Sequence, residues 1–385
     1  MKPGLCFVVS APMTAVAFLN AHIDYLSSDY EITVVCNFDG TEKDVSKNAQ
    51  LKNIRIDREI SPISDLGAVY SLARFLKKGN FQIVHSVTPK AGLITAIAGR
   101  LTKTPIRIHW FTGQVWVLKS GIQRWLLKKF DRLIARLTTS VLVDSPSQRD
   151  FLIEQGVISP AKSQVLGSGS IAGVDTERFR PNPEVRVVTR AELGIEDPNA
   201  TIILFVGRLN HDKGVDTLLQ AFSSQTIQQN SYLLLVGPDE ENYIPRIPEL
   251  LGERQEYFRY VPFTADPEKY MAASDIFCLP SLREGFGLSV IEASSCELPV
   301  IASQIYGITD AVKDGETGNL LKVEDTKKFA TTISELAKNR RIMVHMGQEG
   351  RVFVQENFQS ASLQRLLAAH YAELLRELRR PHARQ

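Results

Sequence analysis

Short runs of Val, Ile, Leu and Phe recur along the chain, separated by stretches whose apolar residues return every three or four positions. The first kind of run predicts a strand buried on both faces, the second a helix packing one side. In the first half the strand-like runs are LCFVVS, EITVVCN, QIVHSV, IRIHWF, SVLVDS and SQVLGS, with helical stretches such as DLGAVYSLARFLKKG and KAGLITAIAGRLTK between them. The pattern breaks near residue 181 at RFRPNPEVR, where two prolines, an asparagine and charges read as a linker. It restarts with TIILFVGR, SYLLLVG, YFRYVPF, IFCLPS and PVIAS. This alternation predicts an α/β protein of two doubly wound, Rossmann-like domains, 1–180 and 181–360, facing across a cleft. A Leu-rich helix within 361–385 is expected to pack back toward the first domain. Ligands of such sheets bind outside the carboxyl ends of the strands, so the loops after the strands should carry the chemistry.

Composition narrows the classes. The 385 residues are 44% hydrophobic and 23% charged, ordinary for a globular protein with two cores. Four scattered cysteines, none in a Cys-x-x-Cys pair, argue against a disulfide framework or a metal site. No apolar stretch reaches the roughly 18 residues of a membrane span. Lys2 followed by GLCFVVSAPMTAVAFL is similar to a short signal sequence, but Pro12 breaks the run and a first strand, turn and helix fit it better. The net charge of +2 hides an asymmetry. Residues 1–180 hold 23 Lys and Arg against 15 Asp and Glu, and the remainder 22 against 28. A basic first half predicts an anionic partner on that side.

Three motifs carry candidate chemistry. In ILFVGRLNHDKGVDTLLQAF a strand ends at Val206, Gly207 lets the backbone turn, and Arg208 and Lys213 follow before a helix begins near Val215. A guanidinium fork and an ammonium at a strand end suit a diphosphate, although two surface cations would give the same pattern. In REGFGLSVIEASSCELPVIAS, Gly285 and Gly287 permit close backbone approach, and the helix from Leu288 offers free N–H groups to a phosphate. Glu284 stands before the glycines, and Glu292 lies one turn inside the helix. Among Val290, Ile291 and Ala293 it is poorly explained as a solvated face and suits ribose hydroxyls. The third motif, VLGSGSIAGVDTERFRP, places Gly167, Gly169 and Gly173 where the chain crosses between domains.

Together these motifs resemble the family 4 glycosyltransferases of the GT-B fold, over most of the chain, and in particular the enzymes of bacterial surface polysaccharides, O-antigen and capsule. The second half carries the pattern most fully: FVGRL, KG, YLLLVG, EGFGL with its paired Glu284 and Glu292, LPVIAS and DGETGNLL. The resemblance implies a UDP-sugar donor, retention of anomeric configuration and no cofactor or metal. It implies donor-binding roles for Gly207, Arg208, Lys213, Gly237, Gly285, Phe286, Gly287, Leu288, Ser289 and Glu292. Glu284, Arg208 and Lys213 become catalytic candidates; His109 joins them if it points into the cleft, although a histidine in a strand is more often a satisfied core residue. The acceptor side would be lined by His85, Lys90, Thr112 and Gly113, with Thr88 in the same loop as His85 and Lys90; Lys90 would meet an acceptor phosphate or be a plain surface lysine. Three departures stand out: the first strand is followed by SAPMTA rather than a glycine pair, Thr112-Gly113 stands where the family often has His-Gly, with His109 three residues earlier, and Glu297 occupies a position where the family usually has glycine.

Segment 115–140 is basic and aromatic. Lys119, Arg124, Lys128, Lys129, Arg132 and Arg136 accompany Trp116, Trp125, Leu126, Phe130, Leu133 and Ile134, with Asp131 the single acid. It is expected to lie on an anionic membrane surface, a Rossmann helix with one solvated face being the plainer reading. No nucleic-acid module is present. The expectation is a cytoplasmic enzyme, peripheral at the inner face of the plasma membrane, moving a sugar such as an N-acetylhexosamine onto a polyprenyl-diphosphate-linked saccharide. A nucleotide-sugar 2-epimerase on the same fold and a non-catalytic nucleotide-sugar or lipid-binding module are the alternatives.

Overall fold

Every position of Gly4–Val8 (β1) is buried, and its side chains alternate between two cores: Leu5 and Phe7 join one, Cys6 and Val8 the other. A strand covered on both faces has no polar side to show, which is why the run is continuously apolar. The computed structural model describes residues 2–38, 40, 42–57 and 61–379. Glu31–Cys36 (β2), Gln50–Asn53 (β3), Phe81–Val87 (β4), Ile106–Phe111 (β5), Ser140–Val143 (β6) and Ser163–Gln164 (β7) join β1 in one parallel sheet of order β3-β2-β1-β4-β5-β6-β7. The helices are Pro12–Phe18 (α1), Asn20–Leu26 (α2), Pro62–Lys78 (α3), Pro89–Leu101 (α4), Gly121–Leu137 (α5) and Pro146–Glu154 (α6). Proline opens α1, α3, α4 and α6, where its fixed φ suits the first turn and its missing N–H forfeits no bond.

The second half repeats the plan. Thr201–Val206 (β8), Ser231–Val236 (β9), Phe258–Val261 (β10), Ile276–Leu279 (β11), Val300–Ser303 (β12) and Gly318–Leu321 (β13) form a parallel sheet of order β10-β9-β8-β11-β12-β13. Its helices are Pro183–Glu192 (α7), Val215–Phe222 (α8), Ile247–Leu251 (α9), Pro267–Ala273 (α10), Leu288–Ser295 (α11), Ile308–Ala311 (α12), Thr326–Lys338 (α13) and Arg340–Asn357 (α14). The last helix, Ser360–Arg379 (α15), belongs with the first sheet: Leu363, Leu367, Tyr371 and Leu375 share a core with Ile23 and Leu26 of α2. In each sheet the winding reverses at the centre, between β1 and β4 and between β8 and β11. The crevice at such a reversal is the ligand position of doubly wound sheets.

The chain divides into two compact units, one ending at Ala172 and regaining α15, the other Gly173–Gln359. The division thus falls before the expected 180/181 boundary, and RFRPNPEVR is not a linker. Phe179 lies in the second unit's core, and Asn182 caps α7 by accepting from the Val185 N–H at 3.1 Å, with Pro183 in the first turn. Those residues start a helix. The glycine-led stretch 167–173 carries the crossing instead. The edge strands β3 and β13 have no counterpart among the apolar runs, and β3 is exposed at all four positions. Residues 380–385 of the expected terminal segment lie outside the described residues.

Candidate active site

The loops after β8, β9 and β11 are drawn together by close backbone contact. Gly214 has φ +71, and a Cβ there would lie 1.9 Å from the Pro280 carbonyl oxygen. Gly237, at φ +140, would place one 2.0 Å from the Gly207 carbonyl oxygen. Glycine is required at both positions. Polar contacts fasten the same loops. The Leu282 N–H donates to the Asp212 carbonyl at 2.9 Å, and the Arg283 guanidinium donates to the Asp212 carboxylate at 2.8 Å. Lys213 Nζ lies 2.5 Å from Glu284 Oε1, which also accepts from Ser281 Oγ at 2.9 Å. Arg208 donates to Glu240 at 2.8 Å, and Asn210 donates to the same carboxylate at 2.9 Å. Both expected phosphate-binding cations are therefore held in place by carboxylates.

Gly287, at φ +89, precedes α11, and no side chain caps the helix start. The N–H groups of Leu288 and Ser289 have no partner within the helix itself. Phe286 is buried against Phe358, ring centroids 5.1 Å apart, so only its backbone is offered to a ligand. Glu292 is half-buried one turn into α11. Desolvation pushes its carboxyl up to about 7; Arg178 pulls it down and Glu268 pushes it up. The Lys213–Glu284 pair and the Asp212 contacts thus join the loops after β8 and β11 at the reversal, while Arg208 is tied to the loop after β9.

In the first unit several expectations are corrected. His85 on β4 is fully buried, stacked 5.8 Å from Trp110, with Nδ1 2.5 Å from the Tyr371 hydroxyl. Burial holds its pKa well below the ordinary histidine value. His109 on β5 is 1% exposed, its Nδ1 2.9 Å from Ser86 Oγ, and its ring fills the space beside Gly92 of α4. Desolvation lowers its pKa to about 3. Both lie within strands covered by helices, so they are core residues and face no substrate. Lys90, in the first turn of α4, has its Nζ 2.7 Å from a carboxylate oxygen of Asp65 on α3. Thr112 and Gly113 are half-buried after β5, and the Thr112 carbonyl accepts from the Gln148 side chain and, at 3.4 Å, from Gln114. Thr88 has φ +77, and its hydroxyl lies 3.0 Å from that of Ser10, joining the loops after β1 and β4 at the first sheet's reversal. Among the described residues no three His, Cys, Asp or Glu gather as metal ligands would.

Residues 189–353 match the family model described as glycosyl transferases group 1, and residues 25–169 match that of a glycosyl transferase 4-like domain. The chain belongs to the family 4 glycosyltransferases. It is 28% identical over 379 residues to the capsular polysaccharide biosynthesis glycosyltransferase CapM of Staphylococcus aureus, covering 98% of this chain and 99% of that one. It is also 28% identical over 294 residues to the UDP-Gal:alpha-D-GlcNAc-diphosphoundecaprenol alpha-1,3-galactosyltransferase of Escherichia coli, 74% of this chain and 73% of that one. The crystal structure of Anabaena HepE in complex with UDP and glucose superposes with a TM-score of 0.79 at 17% identity, over 97% of this chain and 100% of that one, and supports the GT-B fold.

The basic segment of this glycosyltransferase differs from its expected form. Trp116 and Ile134 are packed inward; Trp116 stacks on Phe151 and its indole donates to Asp131 at 2.7 Å. The exposed apolar residues are Ile122, at 84%, with Trp125 and Leu126. Lys129 lies 5.4 Å over the Trp125 ring. No helix among the described residues is long and apolar enough to cross a membrane. Asp212, Arg283, Asn210 and Glu240, which fasten the loops after β8, β9 and β11, went unrecognised in the sequence. Their one signal was charge and amide groups in the loops that carry Arg208, Lys213 and Glu284.

Proposed function

We propose that the protein transfers a hexose or N-acetylhexosamine from a UDP-sugar to a polyprenyl-diphosphate-linked saccharide, with retention, in surface polysaccharide assembly. The observation that carries this reading is the gathering of Arg208, Lys213, Glu284 and the start of α11 at the β8/β11 reversal. Cleavage of the bond from sugar C1 to the donor's β-phosphate leaves negative charge on the phosphate. Arg208 and Lys213, released from Glu240 and Glu284, and the N–H groups of Leu288 and Ser289 would meet that charge. Glu284 would then accept from sugar hydroxyls and Glu292 from the ribose. The reacting carbon gains oxocarbenium character. On the front-face route the departing phosphate oxygen takes the acceptor's proton as the new C1–O bond forms on the same face, so no carboxylate nucleophile is required. The names of the staphylococcal and E. coli relatives support the pathway, the donor class and the lipid-diphosphate acceptor. The acceptor would lie near Ser10, Thr88, Thr112 and Gly113, at the carboxyl ends of β1, β4 and β5. The exposed side of α5, with Ile122, Trp125 and Leu126 among Lys119, Arg124 and Lys129, would rest on anionic lipid at the cytoplasmic face of the membrane.

Two substitutions test the assignment by opposite effects on the nucleotide. Glu284→Ala frees Lys213 from its ion pair, so UDP should bind at least as tightly while turnover falls about 100-fold or more. Lys213→Ala should weaken UDP binding about tenfold or more by removing a charge-assisted contact. Calorimetry and mass spectrometry of products from a panel of nucleotide sugars with a lipid-diphosphate acceptor measure both. Unchanged turnover in Glu284→Ala would remove the central assignment.

A further inference from the structure

Helix α3 has two apolar faces, and only one is used by the fold. Ala68, Leu72 and Leu76 pack with Ile94 and Ala98 of α4. On the opposite side Ile63, Leu66 and Tyr70, spaced i, i+3 and i+7, are 87%, 71% and 66% exposed. The same stripe continues into Arg74 and Lys77. Three large apolar side chains in line on a solvent face mark a contact surface rather than scattered exposure.

Among the described residues, the cations beside the stripe without a carboxylate partner are Lys52, Arg74, Lys77 and Lys78. Between α3 and β3 lies a groove of about 630 Å³ whose lining includes Lys52, Arg55, Tyr70, Arg74, Phe75 and Lys78 and no acidic residue. The nearby carboxylates are engaged: Asp57 binds Arg55 at 2.9 Å, and Asp65 binds Lys90 at 2.7 Å. The occupant that fits must be anionic and must accept apolar side chains beside long cationic ones. A second copy meeting this face through a two-fold axis would set Arg74, Lys77 and Lys78 against themselves.

Topology adds a second argument. Helices α3, α4 and α5 follow the parallel strands β3, β4 and β5 and each runs back to the start of the next strand, so their first turns lie at one edge of the sheet. α3 and α5 pack on either side of α4. The exposed Ile63 and Leu66 of α3 and the exposed Ile122 and Trp125 of α5 therefore flank the first turn of α4, beside Thr88.

We propose that α3 is a second membrane-docking element, seated on an anionic bilayer together with α5, its apolar stripe entering the headgroup layer and Lys52, Arg74, Lys77 and Lys78 meeting lipid phosphates. This rests on the membrane reading of α5. The two helices straddle the loop after β4 and bring it to the height from which a lipid-borne diphosphate would present its saccharide.

All four native cysteines are buried, so an engineered surface thiol takes a label selectively. Leu66→Cys and, separately, Ile122→Cys are labelled with nitrobenzoxadiazole and mixed with phosphatidylglycerol–phosphatidylcholine vesicles, or with phosphatidylcholine alone, at low salt. The expected result is a blue-shifted, brighter emission at both positions with the anionic vesicles only, reversed by salt. A silent label at 66 with a responsive one at 122 overturns the role of α3 and leaves that of α5. Silence at both overturns the two together. A response at 66 that follows protein concentration without lipid assigns the face to a second copy and overturns the proposal. The variant Ile63→Ser/Leu66→Ser/Tyr70→Ser, confined to exposed positions, should lower co-sedimentation with the anionic vesicles about tenfold or more. Unchanged co-sedimentation counts against α3.

Discussion

Glu297 shows how one backbone angle settles a residue choice. It has φ +60, the left-handed region that favours glycine, and it directly follows the Cys296 cap of α11. Its N–H donates to the Ser294 carbonyl at 3.0 Å, and the Leu298 N–H donates to the Ala293 carbonyl at 3.1 Å. This paired closure ends a helix and is most often built on glycine. The position's family preference is thus a backbone requirement that a glutamate here meets at some strain. Glu292, inside the same helix, leads to a titration prediction. Its free carboxyl, pushed to about 7 by desolvation, is half protonated near neutrality. A ribose hydroxyl donating to it favours the ionised form, so UDP affinity should rise as pH climbs through 7 and level off above. The slope is at most about tenfold per pH unit. Glu292→Gln should lose that slope while the titration of UDP itself, common to both proteins, cancels in the comparison. Calorimetry from pH 6 to 8 decides it: equal slopes in the two proteins would separate Glu292 from the ribose.

At the level of elements, α5 carries an acid on its inward face. Asp131 is buried beneath Trp116, and desolvation raises its pKa to about 7 from an ordinary 3.8. The folded chain therefore holds this proton more tightly than the unfolded one between those values. Asp131 favours folding at low pH, and that contribution is lost as pH rises from about 4 to about 7, by at most about 1.4 kcal/mol per pH unit. Asp131→Asn keeps an acceptor for the Trp116 indole and cannot ionise. Its stability relative to wild type should be greater at pH 8 than at pH 5, read from urea midpoints; an identical difference at both pH values would contradict the burial argument. The same elements show what the sequence could and could not say. Continuous apolar runs gave most of the sheet strands, because burial on both faces permits nothing else. The edge strands β3 and β13 escaped because an edge needs no apolar run, and β3 reads QLKN. Gly207, Arg208, Lys213 and the paired acids stood out as candidates because they sit in short loops after identifiable strands. His109 is the core residue that a strand-borne histidine more often is, and His85, expected beside the acceptor, is core as well, because helices cover both strands.

Across the whole molecule, the most telling long-range contact is that of α15. The chain leaves the second unit at Gln359, and α15 buries Leu363, Leu367, Tyr371 and Leu375 against the first. The Tyr371 hydroxyl and His85 Nδ1, 2.5 Å apart, lie 286 residues apart in sequence. The three tryptophans, Trp110, Trp116 and Trp125, all belong to the first unit, so indole fluorescence reports on that unit alone. If α15 is part of the first unit's core, substitutions near the carboxyl end must shift a transition monitored hundreds of residues earlier. Tyr371→Phe leaves His85 Nδ1 buried without its hydroxyl partner and should cost about 1–3 kcal/mol. Leu367→Ala should cost about 2–5 kcal/mol through lost burial and a cavity. Both should lower the urea midpoint seen by fluorescence. Val354→Ala in α14, buried in the second unit's core, should leave that midpoint unmoved while lowering the one followed by far-ultraviolet circular dichroism. A fluorescence midpoint that answered to Val354 and ignored Leu367 would assign α15 to the wrong core and with it the division of the chain.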